Sequence, residues 1–180
     1  MNPIEQLKSN FDQIHKILLE NNNPSLASDI DNYYKKTLIL SIASQNEKQI
    51  YEILYDFVKH KSNNDEKIIS FLKMQAIYGK FHQLFEWGNN DDLEPGKNAN
   101  KFFRLFGATF LSEAKIEISK NNQLDVGIKS FIEIGHLRNL LIHNDFTTYE
   151  INTKTTDDVF TLFKNTKFFI SFLRQKLLPS

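Results

Sequence analysis

The residues with the clearest chemical potential fall in one stretch, Phe131-Ile-Glu-Ile-Gly-His136-Leu-Arg138-Asn139-Leu-Leu-Ile-His143-Asn144-Asp145. Wound as a helix at about 100° per residue, it places Phe131, Ile134, Gly135, Leu141 and Ile142 on one side, with Arg138 in the middle of that apolar arc. A guanidinium stays charged at every physiological pH, so at such a position it needs a partner or an open groove. His136, Asn139 and His143 line the neighbouring strip, and Asn139 and His143 are one turn apart, within side-chain reach. The set therefore offers a fixed positive charge, an amide and two imidazoles, groups suited to charge recognition and proton transfer.

A second odd charge sits elsewhere. Leu40, Ala43, Ile50, Leu54 and Phe57 form a core stripe at heptad-like spacing, and Glu47 occupies the remaining place in it. Two charges on two apolar faces explain each other if those helices pack together, so Glu47 is the expected partner of Arg138. The competing reading is an interior salt bridge that only fixes packing, with the histidines as surface or capping residues. Metal binding has little support: His136 and His143 are two turns apart, roughly 10 Å along the axis, and His15, His60 and His82 lack ligand-like neighbours. The chain also lacks a glycine-rich phosphate loop, paired catalytic carboxylates at a recognisable spacing and a Gly-x-Ser-x-Gly elbow.

The elements that must carry these residues are helical. The 180 residues include only 6 Gly and 4 Pro, and apolar side chains recur at three-and-four spacing almost throughout. The expected helices run from about Pro3 to Glu20, from Ser25 to His60, through Ile68 to Met74 after a Ser62 to Asp65 turn, through Phe81 to Trp87, from Ala99 to Lys120 and from Leu124 to His143. A last helix follows the Thr155-Thr156-Asp157-Asp158 cap. Gly88 to Asn98 reads as a mobile loop, and Thr147 to Lys154 as a short extended excursion. The expectation is one all-α domain over residues 1–180, a single helical bundle of six or seven helices, with the phenylalanine stripes as core.

Composition narrows the function classes. Hydrophobic residues make up 41% and charged residues 24%, ordinary for a globular protein. Lys and Arg total 22, as do Asp and Glu, so the net charge is zero and nucleic acid would have to be drawn by a local patch. The absence of cysteine excludes disulfides, thiolate metal sites and cysteine nucleophiles. With no basic n-region and no window near about 18 apolar residues, no membrane association is expected and the chain reads as cytoplasmic.

Arg138-Asn139-Leu-Leu-Ile-His143, near the end of an amphipathic helix in a small all-α chain, resembles the Arg-x4–6-His signature of the HEPN superfamily, with the polar residue often found directly after its arginine. The acidic residue inside the stripe of a long early helix, the Asn98-x-Asn100-Lys-Phe-Phe-x-x-Phe-Gly107 segment and the final helix after a Thr-Asp cap are similar to RiboL-PSP-type HEPN proteins over most of the chain. The resemblance implies a homodimer whose two motif helices form one composite, metal-independent ribonuclease site. It would leave 2′,3′-cyclic phosphate and 5′-hydroxyl ends, need no cofactor, and belong to a toxin or effector with an antitoxin or defence-system partner protein. It gives His143 the general acid or base role and Arg138 the grip on the scissile phosphate. It makes Asn139 the group that orients His143 or a phosphate oxygen and Glu47 the residue that fixes Arg138, with His136 and Asn144 in support. Arg138 and His143 point about 140° apart on one helix, so a monomer should be inactive.

Two features depart from that family. Toxins paired with a minimal nucleotidyltransferase have a modifiable tyrosine two residues after the histidine, where this chain has Asp145; silencing by AMP transfer is therefore not expected. The neutral charge leaves Lys97, Lys101, Arg104 and Lys129 as the candidate RNA-binding cluster. The alternative reading within the same resemblance is a non-catalytic adaptor that binds RNA or assembles proteins.

Overall fold

Several of the helices begin where a short polar side chain accepts from free backbone N–H groups. In the computed structural model, which describes residues 2–77, 80–88 and 95–179 and only the backbone of residues 76 and 77, α1 spans Pro3–Glu20. It starts in a capping box: Asn2 accepts from the Ile4 amide at 2.9 Å and the Glu5 carboxylate accepts from the Asn2 amide at 3.2 Å. Asn22, with φ of 56°, turns the chain into α2, Pro24–Lys61, whose last turn carries Lys59, His60 and Lys61 against the helix dipole. Asp65 caps α3, Glu66–Leu72, which runs on as a π-helical turn over Lys73–Ile77. After α4, a single turn at Phe81–Leu84, come α5 at Asn100–Arg104 and α6 at Ala108–Lys120. Asn121 caps α7, Asn122–His143, and a Thr155–Asp158 capping box opens α8, Thr156–Leu177.

The all-α reading holds, with eight α-helical segments among the described residues. The extra segment comes from Gly107: its φ of 98° breaks the expected Ala99 to Lys120 helix into α5 and α6. The helix expected through Trp87 stops at Leu84, because Phe85 is extended, at φ −126° and ψ 162°. Residues 144–155 form turns with no strand, and the only bridge among the described residues pairs Gly88 with Pro95. Of the expected Gly88 to Asn98 loop, residues 89–94 lie outside the described residues.

Helix α7 packs on α8 and α2, and α2 also packs on α8 and α1. The α7–α8 crossing is close because Gly127 has no side chain: a Cβ there would stand 2.9 Å from the Asn165 carbonyl. Around α7 the core divides. One half is aromatic, with Phe85 stacked on Phe102 at 4.7 Å and Phe131 edge-on to Phe169 at 5.0 Å. The other is largely aliphatic, built from Leu38, Ile39 and Ile42 of α2, Leu137, Leu140 and Leu141 of α7 and Val159 of α8. Each fully buried side chain of this size contributes about 1.5–3 kcal/mol, which fixes α7 against α2. No helix among the described residues is long and apolar enough to cross a membrane.

Candidate functional site

The packing of α7 against α2 leaves a small cleft of about 290 Å³, including the part open to solvent. Its walls carry Asn46 and Glu47 from α2, His82 from α4, and Arg138 and Asn139 from α7, on a floor that includes Phe81, Trp87, Phe131 and Gly135. Arg138 is half-buried, and its guanidinium donates at 3.1 Å to Nδ1 of His82 and at 3.1 Å to Oδ1 of Asn139. A guanidinium has no acceptor, so Nδ1 must be the unprotonated nitrogen and neutral His82 carries its proton on Nε2. Burial, then the charges of Arg138 and His143, hold His82 below the usual histidine range, against an opposing pull from Glu47.

The sequence placed Arg138 and Glu47 on facing surfaces, and both do line the cleft. Their expected ion pair is corrected by the structure: Arg138 bonds to His82 and Asn139, and among the described residues no ion pair joins it to Glu47. Glu47 instead faces the Tyr51 phenol, which burial and then this carboxylate push up to about 12. His143 lies exposed at the end of α7, near enough to act on the titration of His82. Asn144 caps the same end, its Nδ2 donating to the Leu140 carbonyl at 2.8 Å. The segment beyond is pinned by the buried Lys36, whose ammonium donates to the Phe146 carbonyl at 2.8 Å. Asp145 accepts from the amide and hydroxyl of Thr147 at 2.9 and 2.7 Å.

His136 does not join this cleft. It is buried to 2% exposure and lines a separate pocket under residues 149–153, with neither ring nitrogen hydrogen-bonded to a side chain or backbone group in standard geometry among the described residues; burial lowers its pKa. None of the four candidate RNA-binding residues lines the cleft either. Lys101 and Arg104 are exposed on α5 and Lys97 is exposed in the segment before it, while Lys129 pairs with Asp125 at 2.6 Å. Among the described residues no group of three or more acidic or histidine side chains could hold a metal ion.

Two members of the cleft escaped sequence reasoning. His82 reaches Arg138 across 56 residues of chain, and no local spacing announces such a contact. It is held there by Trp87, whose indole N–H donates to the His82 carbonyl at 3.0 Å and whose ring sits on Gly135, where a Cβ would come within 2.1 Å. Asn46 is 3% exposed and its Nδ2 has no acceptor among the described residues. Its signal was legible: it follows Ala43 by three residues and precedes Ile50 by four, a polar residue on a buried face. No protein-family model, no curated protein and no solved structure matches this chain.

Proposed function

We propose that the chain is a HEPN-type, metal-independent endoribonuclease that acts as a homodimer, the toxin or effector of a prokaryotic defence or toxin–antitoxin system. The observation that carries this reading is Arg138: a permanent cation on the wall of a cleft, hydrogen-bonded to neutral acceptors and, among the described residues, to no carboxylate. Such a cation retains its charge for a phosphate. In the reaction the ribose 2′-oxygen attacks the adjacent phosphorus and the bond from phosphorus to O5′ breaks. One proton leaves the 2′-hydroxyl and one reaches O5′. Exposed imidazoles of His143 from two protomers serve those transfers, while Arg138 balances the charge that builds on the phosphate oxygens. Ile142, 51% exposed beside His143, offers apolar surface for a second motif helix.

The test is incubation of the purified protein with total tRNA in EDTA, with the product ends mapped for wild type and His143→Ala. Cyclic-phosphate ends that disappear in the variant are the expected result. Intact RNA with a folded wild type would overturn the nuclease reading in favour of the non-catalytic adaptor. That second reading draws on α3, which buries no residue and exposes Ile68 and Phe71, a surface suited to another protein.

A further inference from the structure

Asn46 stands on a face of α2 where an apolar residue would be expected. Ile42, Ala43 and Ile50, at helical spacing around it, are all buried, and Asn46 is buried with them at 3% exposure. A leucine there would fill similar volume without bringing a polar group out of water. The amide Nδ2 has no acceptor among the described residues, and a buried donor left unmade costs stability that neighbouring apolar residues do not recover. It lines the cleft that holds Arg138. The cleft is narrow, which suits entry of a single phosphate oxygen better than that of a base or a sugar.

We propose that Asn46 is a ligand-contacting residue of this cleft, donating a side-chain N–H to a non-bridging oxygen of a phosphodiester held by Arg138. The proposal rests on the phosphodiester reading above and extends it to a residue that the Arg-x4-His motif does not contain. The charges facing the cleft fit that ligand class. Arg138 contributes one positive charge and Glu47 one negative, so the repulsion from Glu47 is smaller for a diester carrying a single negative charge than for a terminal phosphate carrying nearly two. Nδ2 is itself sealed from solvent, so the amide must turn about its terminal torsion to direct an N–H at an oxygen of a phosphate that lies at the mouth beside Arg138, with the sugars and bases left on the surface.

The experiment is titration of the ¹⁵N-labelled protein, in EDTA, with thymidylyl-thymidine, a phosphodiester that lacks a 2′-hydroxyl and so cannot be cleaved by transesterification. The Asn46 side-chain amide signals should move on saturation. Asn46→Leu should weaken binding about tenfold, the loss of one hydrogen bond to a charged group, while unfolding at the same or a higher denaturant concentration than wild type. A merely structural asparagine would destabilise the protein when replaced and leave binding unchanged. Stationary Asn46 signals at saturation, absence of binding, or equal affinity in Asn46→Leu would each overturn the proposal. Asn46→Asp, of the same shape, replaces the donor with a negative charge and should abolish binding; it serves if the leucine variant fails to fold. Amide shifts with intact RNA would keep Asn46 as a ligand contact and overturn the nuclease reading. Cleavage of RNA with unmoved Asn46 signals would do the reverse.

Discussion

The two faces of α7 that carry His136 and Arg138 lie two residues apart in sequence and in opposite electrostatic settings. His136 is sealed beneath residues 149–153, its ring nitrogens without a hydrogen bond in standard geometry among the described residues, and burial favours its neutral form. Arg138, about 200° around the helix, keeps its charge in a solvent-reached cleft and gives two of its five N–H donors to His82 and Asn139. The same helix thus buries one titratable group and presents another, and the decision is made by what covers each face. Trp87 takes part in both: its ring sits on Gly135, its indole N–H holds the His82 carbonyl, and its backbone lies close enough to His136 to pull that pKa up against the effect of burial.

The sharpest way to break that contrast is to remove the shared element. Trp87→Ala deletes a buried ring of the aromatic core and should cost about 3–5 kcal/mol, measured by urea denaturation. It should also release His82 from Arg138, visible as a change in the His82 ring signals by NMR. A loss below about 1 kcal/mol, or unchanged His82 signals, would mean that the two faces are organised independently. Next in size, His143→Ala should lower RNA cleavage at least about 100-fold while leaving the denaturation midpoint unchanged, because the residue is exposed at a helix end. A matching loss of stability would assign His143 a structural role.

The buried face can be tested through pH. The His136 pKa is lowered by burial, so above the unfolded value of about 6.5 the side chain is neutral in both states and adds no pH dependence. As pH falls through that value the unfolded chain takes up a proton that the native state refuses, and stability drops until the native pKa is reached. Urea midpoints should therefore fall between pH 7 and pH 5, and His136→Leu should flatten the fall by at most about 1.4 kcal/mol per pH unit, one proton's worth. His82, lowered in the same direction, leaves a residual slope in that variant. An unchanged slope would show that His136 is solvated in the native state.

These faces also mark what the sequence could and could not reveal. Periodicity placed Arg138 and Glu47 on facing surfaces because an azimuth on a helix depends only on residue number, and the cap residues Asp65 and Thr155 were legible because capping is local. The same arithmetic put His136 in one strip with Asn139 and His143, where it failed. The strip is roughly 10 Å long, and the covering layer changes along it, from residues 149–153 over His136 to open solvent at His143. His82 was invisible for a related reason, since its place depends on Trp87 finding the gap above Gly135. The break at Gly107 turns on one positive φ inside an unbroken apolar pattern, which spacing alone does not register.

The smallest effect is expected at Lys129, which shares α7 with Arg138 but lies nine residues earlier, about 180° around the helix. Its ammonium is paired with Asp125 one turn away at 2.6 Å, with the lysine side chain 57% exposed. An exposed pair of this kind contributes well under about 1 kcal/mol, and pairing with a carboxylate weakens the field it would offer a phosphate. Lys129→Ala should therefore shift the denaturation midpoint by less than about 0.5 kcal/mol and leave RNA affinity, read by fluorescence anisotropy at fixed salt, within about twofold. Arg138→Ala in the same assay should weaken binding about tenfold or more, the loss of charge-assisted hydrogen bonds. Equal losses in the two variants would mean that RNA is held by diffuse positive charge along α7, and that the cleft of Arg138 has no privileged claim on the phosphate.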